Sequence, residues 1–163
     1  MVRITRDMEY ALIALQYLQS EYPGKLTSVR RICDAHDLPF DATSHVLQRL
    51  KQAGVVRSQQ GVNGGYQIVK DLALVSYYDL LEVVGDQIKI ASCLAENCTC
   101  HLVKSCNIIS PIISLNDRLA EFYRGIMIKE LLDVRSAEED LIRDRFAVVS
   151  ADRDDVPAAK EHR

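Results

Sequence analysis

The sequence predicts a mainly α chain with one small β-hairpin, arranged as a winged helix-turn-helix followed by a long dimerisation helix. Three observations predict it. Two short amphipathic segments meet at a tight break, His36-Asp37-Leu38-Pro39. Two β-prone runs then flank a glycine-rich stretch that contains Gly61, Gly64 and Gly65. A later segment repeats its large apolar residues at alternating steps of four and three, the spacing of a helix that packs along a seam.

Taken in order, Thr5 is the N-cap expected before a first helix with Met8, Ala11, Leu12, Leu15 and Leu18 at helical spacing, ended by Tyr22-Pro23-Gly24. Tyr10, Ile13, Ala14 and Tyr17 make that helix apolar beyond a single stripe, so a second surface is expected on it. Thr27 is read as the cap of a helix through Val29, Ile32, Cys33 and Ala35. Asp41 is read as the cap of the next, with Val46, Leu47 and Leu50 inward, and Gly54 stops it. Val55-Val56-Arg57-Ser58 and Tyr66-Gln67-Ile68-Val69 form the hairpin, or wing. Ser76 and Asp79 resemble a capping box for a helix through Leu80, Leu81, Val83 and Val84 that Gly85 closes. Ser110-Pro111 reads as an N-cap and first-turn proline for the last long helix. Its seam is Ile108, Ile112, Leu115, Leu119, Phe122 and Ile126, and the same helix of a second subunit is the expected partner. Beyond Asp133 the chain turns charged. Ala137, Leu141, Ile142 and Phe146 are read as a short amphipathic helix, and disorder is expected from Ser150.

Between the Gly85 stop and the last helix lies Cys93-Leu-Ala-Glu-Asn-Cys98-Thr-Cys100-His-Leu-Val-Lys-Ser-Cys106, which holds four of the five cysteines. A loop can wrap several thiolates around one point, and thiolate is the ligand that zinc, Cu(I) and iron-sulfur centres prefer. The spacing C-x4-C-x-C-x5-C is not the paired CxxC of a zinc ribbon, and no H-x3-5-H follows, so tetrahedral zinc is the less favoured occupant. Buried small hydrophobes or clustered surface thiols are the bland alternative. No apolar run approaches the roughly 20 residues of a membrane span, and Met1-Val-Arg-Ile-Thr-Arg lacks the apolar core of a signal peptide. A cytoplasmic protein with no membrane partner is expected, and there an odd number of cysteines favours metal or redox chemistry over a disulfide framework. The net charge of −3 is uneven. Residues 1–70 carry nine Lys and Arg against six Asp and Glu, and residues 71–163 eleven against seventeen, so the basic part coincides with the helix-turn-helix.

In this order of parts the chain resembles the Rrf-two type of bacterial transcription regulators, the family of IscR, NsrR and RirA. The resemblance covers about residues 1–133. It rests on Arg3-Ile-Thr5 with Tyr10-Ala11-Leu12, on Leu50-Lys-Gln-Ala-Gly54-Val-Val, on Gly61-Val-Asn-Gly64-Gly65-Tyr66, and on the cysteine loop before a long helix. It implies a DNA-binding domain over residues 1–85, a cluster-binding loop over 86–109, a dimerisation helix region over 110–133 and a charged tail over 134–163. It further implies a homodimer on double-stranded operator DNA, controlled by a 2Fe-2S cluster, or alternatively a 4Fe-4S cluster, that senses redox state, iron or nitric oxide. The family's loop runs C-x5-C-x5-C; here Cys93, Cys100 and Cys106 match best, with the first interval one residue long and Cys98 extra, though Cys98 and Cys100 point the same way if extended, which leaves Cys98 an alternative ligand. Ile109 stands where IscR-like members carry a ligand histidine. By the same resemblance Cys100 and Cys106 of one chain, with Glu9 and His36 of the opposite subunit, make up a mixed-ligand 2Fe-2S site. Histidine in place of thiolate raises such a centre's potential and makes it sensitive to pH.

Recognition helices of such a dimer lie about 34 Å apart, which predicts a pseudo-palindromic operator. Asp41, Ser44, His45, Gln48 and Arg49 are the outward residues near the front of the second short helix, and Lys51 and Gln52 also face outward. Ser44 and Gln48 are expected on bases, Arg49 and Arg3 on phosphates, and Asp41 on a cytosine amino group. Gln60 and Asn63 at the wing tip are expected in a minor groove. IscR-like members carry arginine at Gln60 and tyrosine at Ala42, so a different operator is expected. Two regulator classes compete: one switched by cysteine oxidation, and one holding zinc without a cluster. A cysteine-nucleophile enzyme is disfavoured, because no orienting residue or oxyanion loop accompanies His36 or His101.

Overall fold

The computed structural model describes residues 4–21, 24–95, 98 and 100–133. The chain divides into two units, Met1–Leu132 and Asp133–Arg163. All that follows concerns the first. Arg3, the expected helix around Leu141 and the tail from Ser150 lie outside the described residues.

The first helix, α1 (Arg6–Ser20), starts where Thr5 Oγ1 accepts from the Met8 N–H at 3.3 Å, with Asp7 and Glu9 in its first turn where the helix dipole favours anions. Met8, Ala11, Leu15 and Leu18 are buried as the spacing predicts. Ala14 is also fully buried, and Tyr10, Leu12 and Tyr17 pack against the same core. The excess apolar character expected to serve a second surface is therefore largely used within the domain.

The second helix, α2 (Val29–His36), is capped by Ser28, whose hydroxyl accepts from the Arg31 N–H, and not by Thr27 as expected. Thr27 has another task. Its backbone pairs with Tyr66 through hydrogen bonds of 2.9 and 2.8 Å, which adds a third extended segment to the wing and leaves Thr27 buried. Asp37 turns left-handed (φ 52°), and α3 (Phe40–Gln52) begins at once after Pro39. The turn is so short that Asp41 falls inside the first turn of α3. It is not the N-cap; Thr43 instead bonds back to the Pro39 carbonyl at 2.9 Å. Thr43, Val46, Leu47 and Leu50 form the buried face of α3.

Strands β1 (Val56–Gln59) and β2 (Gly65–Ile68) pair antiparallel, Val56 opposite Ile68 and Gln59 opposite Gly65. The consecutive glycines are explained by close approach. A Cβ at Gly64 would lie within 3.0 Å of the Gln59 carbonyl, and one at Gly65 within 3.0 Å of the Thr27 backbone. After a 3-10 turn at Leu72–Leu74 comes α4 (Tyr77–Val84), opened by the expected capping box of Ser76 and Asp79 and closed by Gly85 at φ 79°.

The long helix α5 (Ile109–Arg124) starts earlier than expected, so Ser110 is inside it and Ile108 is its uncapped N-terminus. Pro111, third in the helix, loses no bond, because first-turn N–H groups have no intrahelical acceptor. Gly125 ends α5 before Ile126, and α6 (Ile128–Leu132) follows. Hydrogen bonds from Tyr77 N–H to Ile126 and from Ile128 N–H to Val75, both 2.8 Å, tie this end of the chain to the start of α4. On α5, Ala120 is buried and Tyr123 packs on Tyr77 with ring centroids 5.0 Å apart. Ile108, Leu115 and Phe122, two heptad steps, are 55, 55 and 62 % exposed.

Candidate nucleic-acid interface and thiol loop

Burial of Thr43, Val46, Leu47 and Leu50 turns the opposite face of α3 to solvent. Asp41, His45 and Gln48 are exposed there and Ser44 is half-buried. At the wing tip Gln60 and Asn63 are exposed, and Val62 between them is fully so. A cleft of about 540 Å³ separates the end of α3 from the wing, lined by Gln48, Lys51, Gln52, Ser58, Gln59 and Gln60. Tyr66 also borders it, and burial raises its phenol pKa, so it remains a neutral hydrogen-bonding group. Lys51, Ser58 and Gln59 are not among the DNA-contacting residues expected from the sequence, although Lys51 is outward there and stands three residues beyond Gln48 on the same helix face, a spacing that points to this cleft.

Arg49 differs from the other polar residues of α3. Its guanidinium donates to Asp7 Oδ2 at 3.2 Å and to the Val84 carbonyl. The expected phosphate contact therefore competes with an internal use. Arg49 follows Gln48 but precedes buried Leu50, which puts it on the flank of α3 beside α1 and α4.

In the segment after α4, Cys93 sits in a 3-10 turn at Ser92–Leu94, and Cys98, Cys100 and Cys106 follow. Cys98 is exposed and the other three are half-buried; all are free thiols. Turns at Cys100–Val103 and Leu102–Ser105 fold the segment, and Asn116 of α5 accepts from the Ile90 N–H at 3.3 Å. Among the described residues, no three of His, Cys, Asp and Glu come close enough to hold a metal ion. Glu9 pairs with Arg6 at 2.6 Å. His36 is exposed and lays its ring edge-on against Tyr17, centroids 5.6 Å apart. Tyr17 is eight residues beyond Glu9 on α1, about 12 Å of helical rise, so Glu9 and His36 occupy different levels of that helix. The thiol donor set fits an iron-sulfur centre in chemistry and in loop placement.

A family model described as "Rrf2: Iron-dependent Transcriptional regulator" matches residues 4–134. An HTH-type transcriptional regulator of Aquifex aeolicus is 30% identical over 129 residues, covering 78% of this chain and 89% of that protein. The regulator NsrR of Bacillus subtilis is 25% identical over 146 residues, 87% and 96% of the two chains. Among solved structures, CymR, the global cysteine regulator of B. subtilis, superposes with a TM-score of 0.63 at 20% identity, over 83% of this chain and all of that one. IscR of T. potens superposes at 0.60 and 18% identity, over 83% and 90%. These likenesses match the mainly helical winged fold. The chain belongs to the Rrf2 family of transcriptional regulators, DNA-binding proteins and not enzymes.

Proposed function

We propose that this chain is a cytoplasmic, homodimeric regulator whose operator binding is controlled by an iron-sulfur cluster, 2Fe-2S in preference to 4Fe-4S, that responds to redox state, iron or nitric oxide. The observation that carries this reading is the set of four free thiols in one segment between α4 and α5 of an Rrf2-family chain. Cys100 and Cys106 of one chain would hold the cluster, with Cys93 as the alternative thiol, and Glu9 and His36 of the second subunit would complete its four ligands. When bound, the cluster supplies a one-electron redox centre. Ile108, Leu115 and Phe122, exposed at heptad spacing, supply the apolar face for that second copy. No helix among the described residues is long and apolar enough to cross a membrane.

On DNA, Asp41, Ser44, His45 and Gln48 face the major groove, Gln60 and Asn63 the minor groove, and Arg3 a phosphate. Gln48 approaching the cleft that Gln60 also lines supports helix and wing engaging one duplex together. Affinity that falls steeply with salt is the expected signature of the phosphate contacts.

Protein purified without oxygen is expected to be coloured and to contain iron and acid-labile sulfide, and Cys106→Ser is expected to bleach it. Alanine at Glu9 or His36 should alter the visible spectrum; an unchanged spectrum removes that residue from the site. A second reading is a thiol switch, favoured by exposed Cys98 near Cys100 and by the fold shared with CymR structures, one of them an oxidised form from Staphylococcus aureus. Colourless protein whose DNA binding is switched by peroxide and restored by dithiothreitol would select it. Bound zinc in colourless protein would select the zinc-containing alternative.

A further inference from the structure

Arg49 joins the end of the recognition helix to the end of α4, from which the thiol segment departs. It lies in the last turn of α3 and reaches two other elements. One bond goes to Asp7 in the first turn of α1, and another to the carbonyl of Val84, the last residue of α4. Terminal carbonyls of a helix carry partial negative charge and have no intrahelical donor, so a guanidinium there both caps α4 and answers its dipole. Gly85 follows in the left-handed conformation, and a Cβ on it would meet Arg49 Nη1 at 3.4 Å. The next residue, Asp86, accepts from the hydroxyl of Thr5, the N-cap of α1. The chain that leads to Cys93 thus departs from a junction in which the end of α3, the start of α1 and the end of α4 are joined through polar side chains.

We infer that Arg49 is a positioning residue: through its bonds to Asp7 and to the end of α4, a change in the thiol segment shifts the recognition helix. This rests on the reading of residues 86–108 as the sensing segment, but it does not depend on what that segment binds. A planar guanidinium suits the task. It presents several donors in fixed directions, so displacement of the Val84–Asp86 turn moves the group that also holds Asp7, whereas a lysine ammonium would swivel. Arg49 then contributes to DNA affinity by setting the pose of Ser44 and Gln48 and not by touching a phosphate.

The test perturbs the thiols with no cluster present. N-ethylmaleimide adds to accessible thiols, which here lie in the segment, while Cys33 is buried. Affinity is measured for a duplex that the parent protein selects from a random-sequence pool, before and after alkylation. In the parent, alkylation is expected to change affinity about tenfold, within the usual span of coupling between sites. In Arg49→Gln the change should shrink to about twofold or less, with Arg49→Lys between them. An Arg49 that is merely structural would lower affinity by the same factor with and without alkylation, and an unchanged ratio overturns the inference. So does a parent whose affinity ignores alkylation. If Arg49→Gln does not fold, Gly85→Ala disturbs the same contact from the other side, and the same ratio decides. Iron-free protein that still loses its alkylation response in Arg49→Gln would remove the cluster and leave the relay standing.

Discussion

The reading head and the thiol segment are built on opposite principles. Residues 24–70 are determined several times over: each helix has a buried face, Thr27 closes the wing by backbone pairing, and two glycines stand where no side chain fits. The segment from Asp86 to Ile108 contains one 3-10 turn, no fully buried side chain among its described residues, and thiols that no disulfide fixes. Packing over-determines the first, while the second is held by few buried contacts and, on the proposed reading, is completed by what its thiols bind.

That contrast can be broken or sharpened by substitution. Leu47→Ala, in the fully buried centre of α3, is expected to cost about 2–5 kcal/mol in denaturant unfolding. A loss under about 1 kcal/mol would mean that the head is not tightly packed. Gly65→Ala should cost about 1–3 kcal/mol, because the added methyl falls on the Thr27 backbone, and it should weaken DNA binding by displacing the wing. Cys98→Ser, exposed in the segment, is expected to leave unfolding free energy within about 0.5 kcal/mol of the parent. A large loss there would show that the segment is as fixed as the head. The smallest effect is electrostatic. The Lys25 hydrogen bond, and then Arg31, hold the Glu21 carboxyl below its ordinary value of 4.5. A carboxylate with a lowered folded-state pKa stabilises above its unfolded value and loses that contribution as pH falls through the folded one. Glu21→Gln should therefore lower stability slightly at neutral pH and flatten its pH dependence below about pH 4.5, where the parent loses the same contribution.

The same contrast explains what was legible beforehand. Helices and wing could be read because burial at period 3.6, capping residues and glycine pairs are local marks of a fold held by packing. The misplacements are of one or two residues. Ser28 and not Thr27 caps α2, because Thr27 is claimed by Tyr66, a partner 39 positions away in the sequence. Asp41 and Ser110 lie inside their helices because the preceding turns are shorter than their side chains suggested. The internal bonds of Arg49 were hidden for a similar reason: its partners, Asp7 and the end of α4, are distant in sequence and leave no periodic trace. The ligand set is the least legible part. Four thiols in one segment are plain in the sequence, but which of them gather, and whether Glu9 and His36 join them as proposed, depends on contacts distant in sequence that leave no local mark.

The most direct measurement is operator affinity of protein prepared without oxygen, compared with a Cys93→Ser, Cys100→Ser, Cys106→Ser variant, with iron and sulfide determined on both. The parent is expected to carry iron and sulfide, the variant neither, and their affinities to differ about tenfold or more. Iron-free parent protein, with the two preparations binding equally well, would contradict the account.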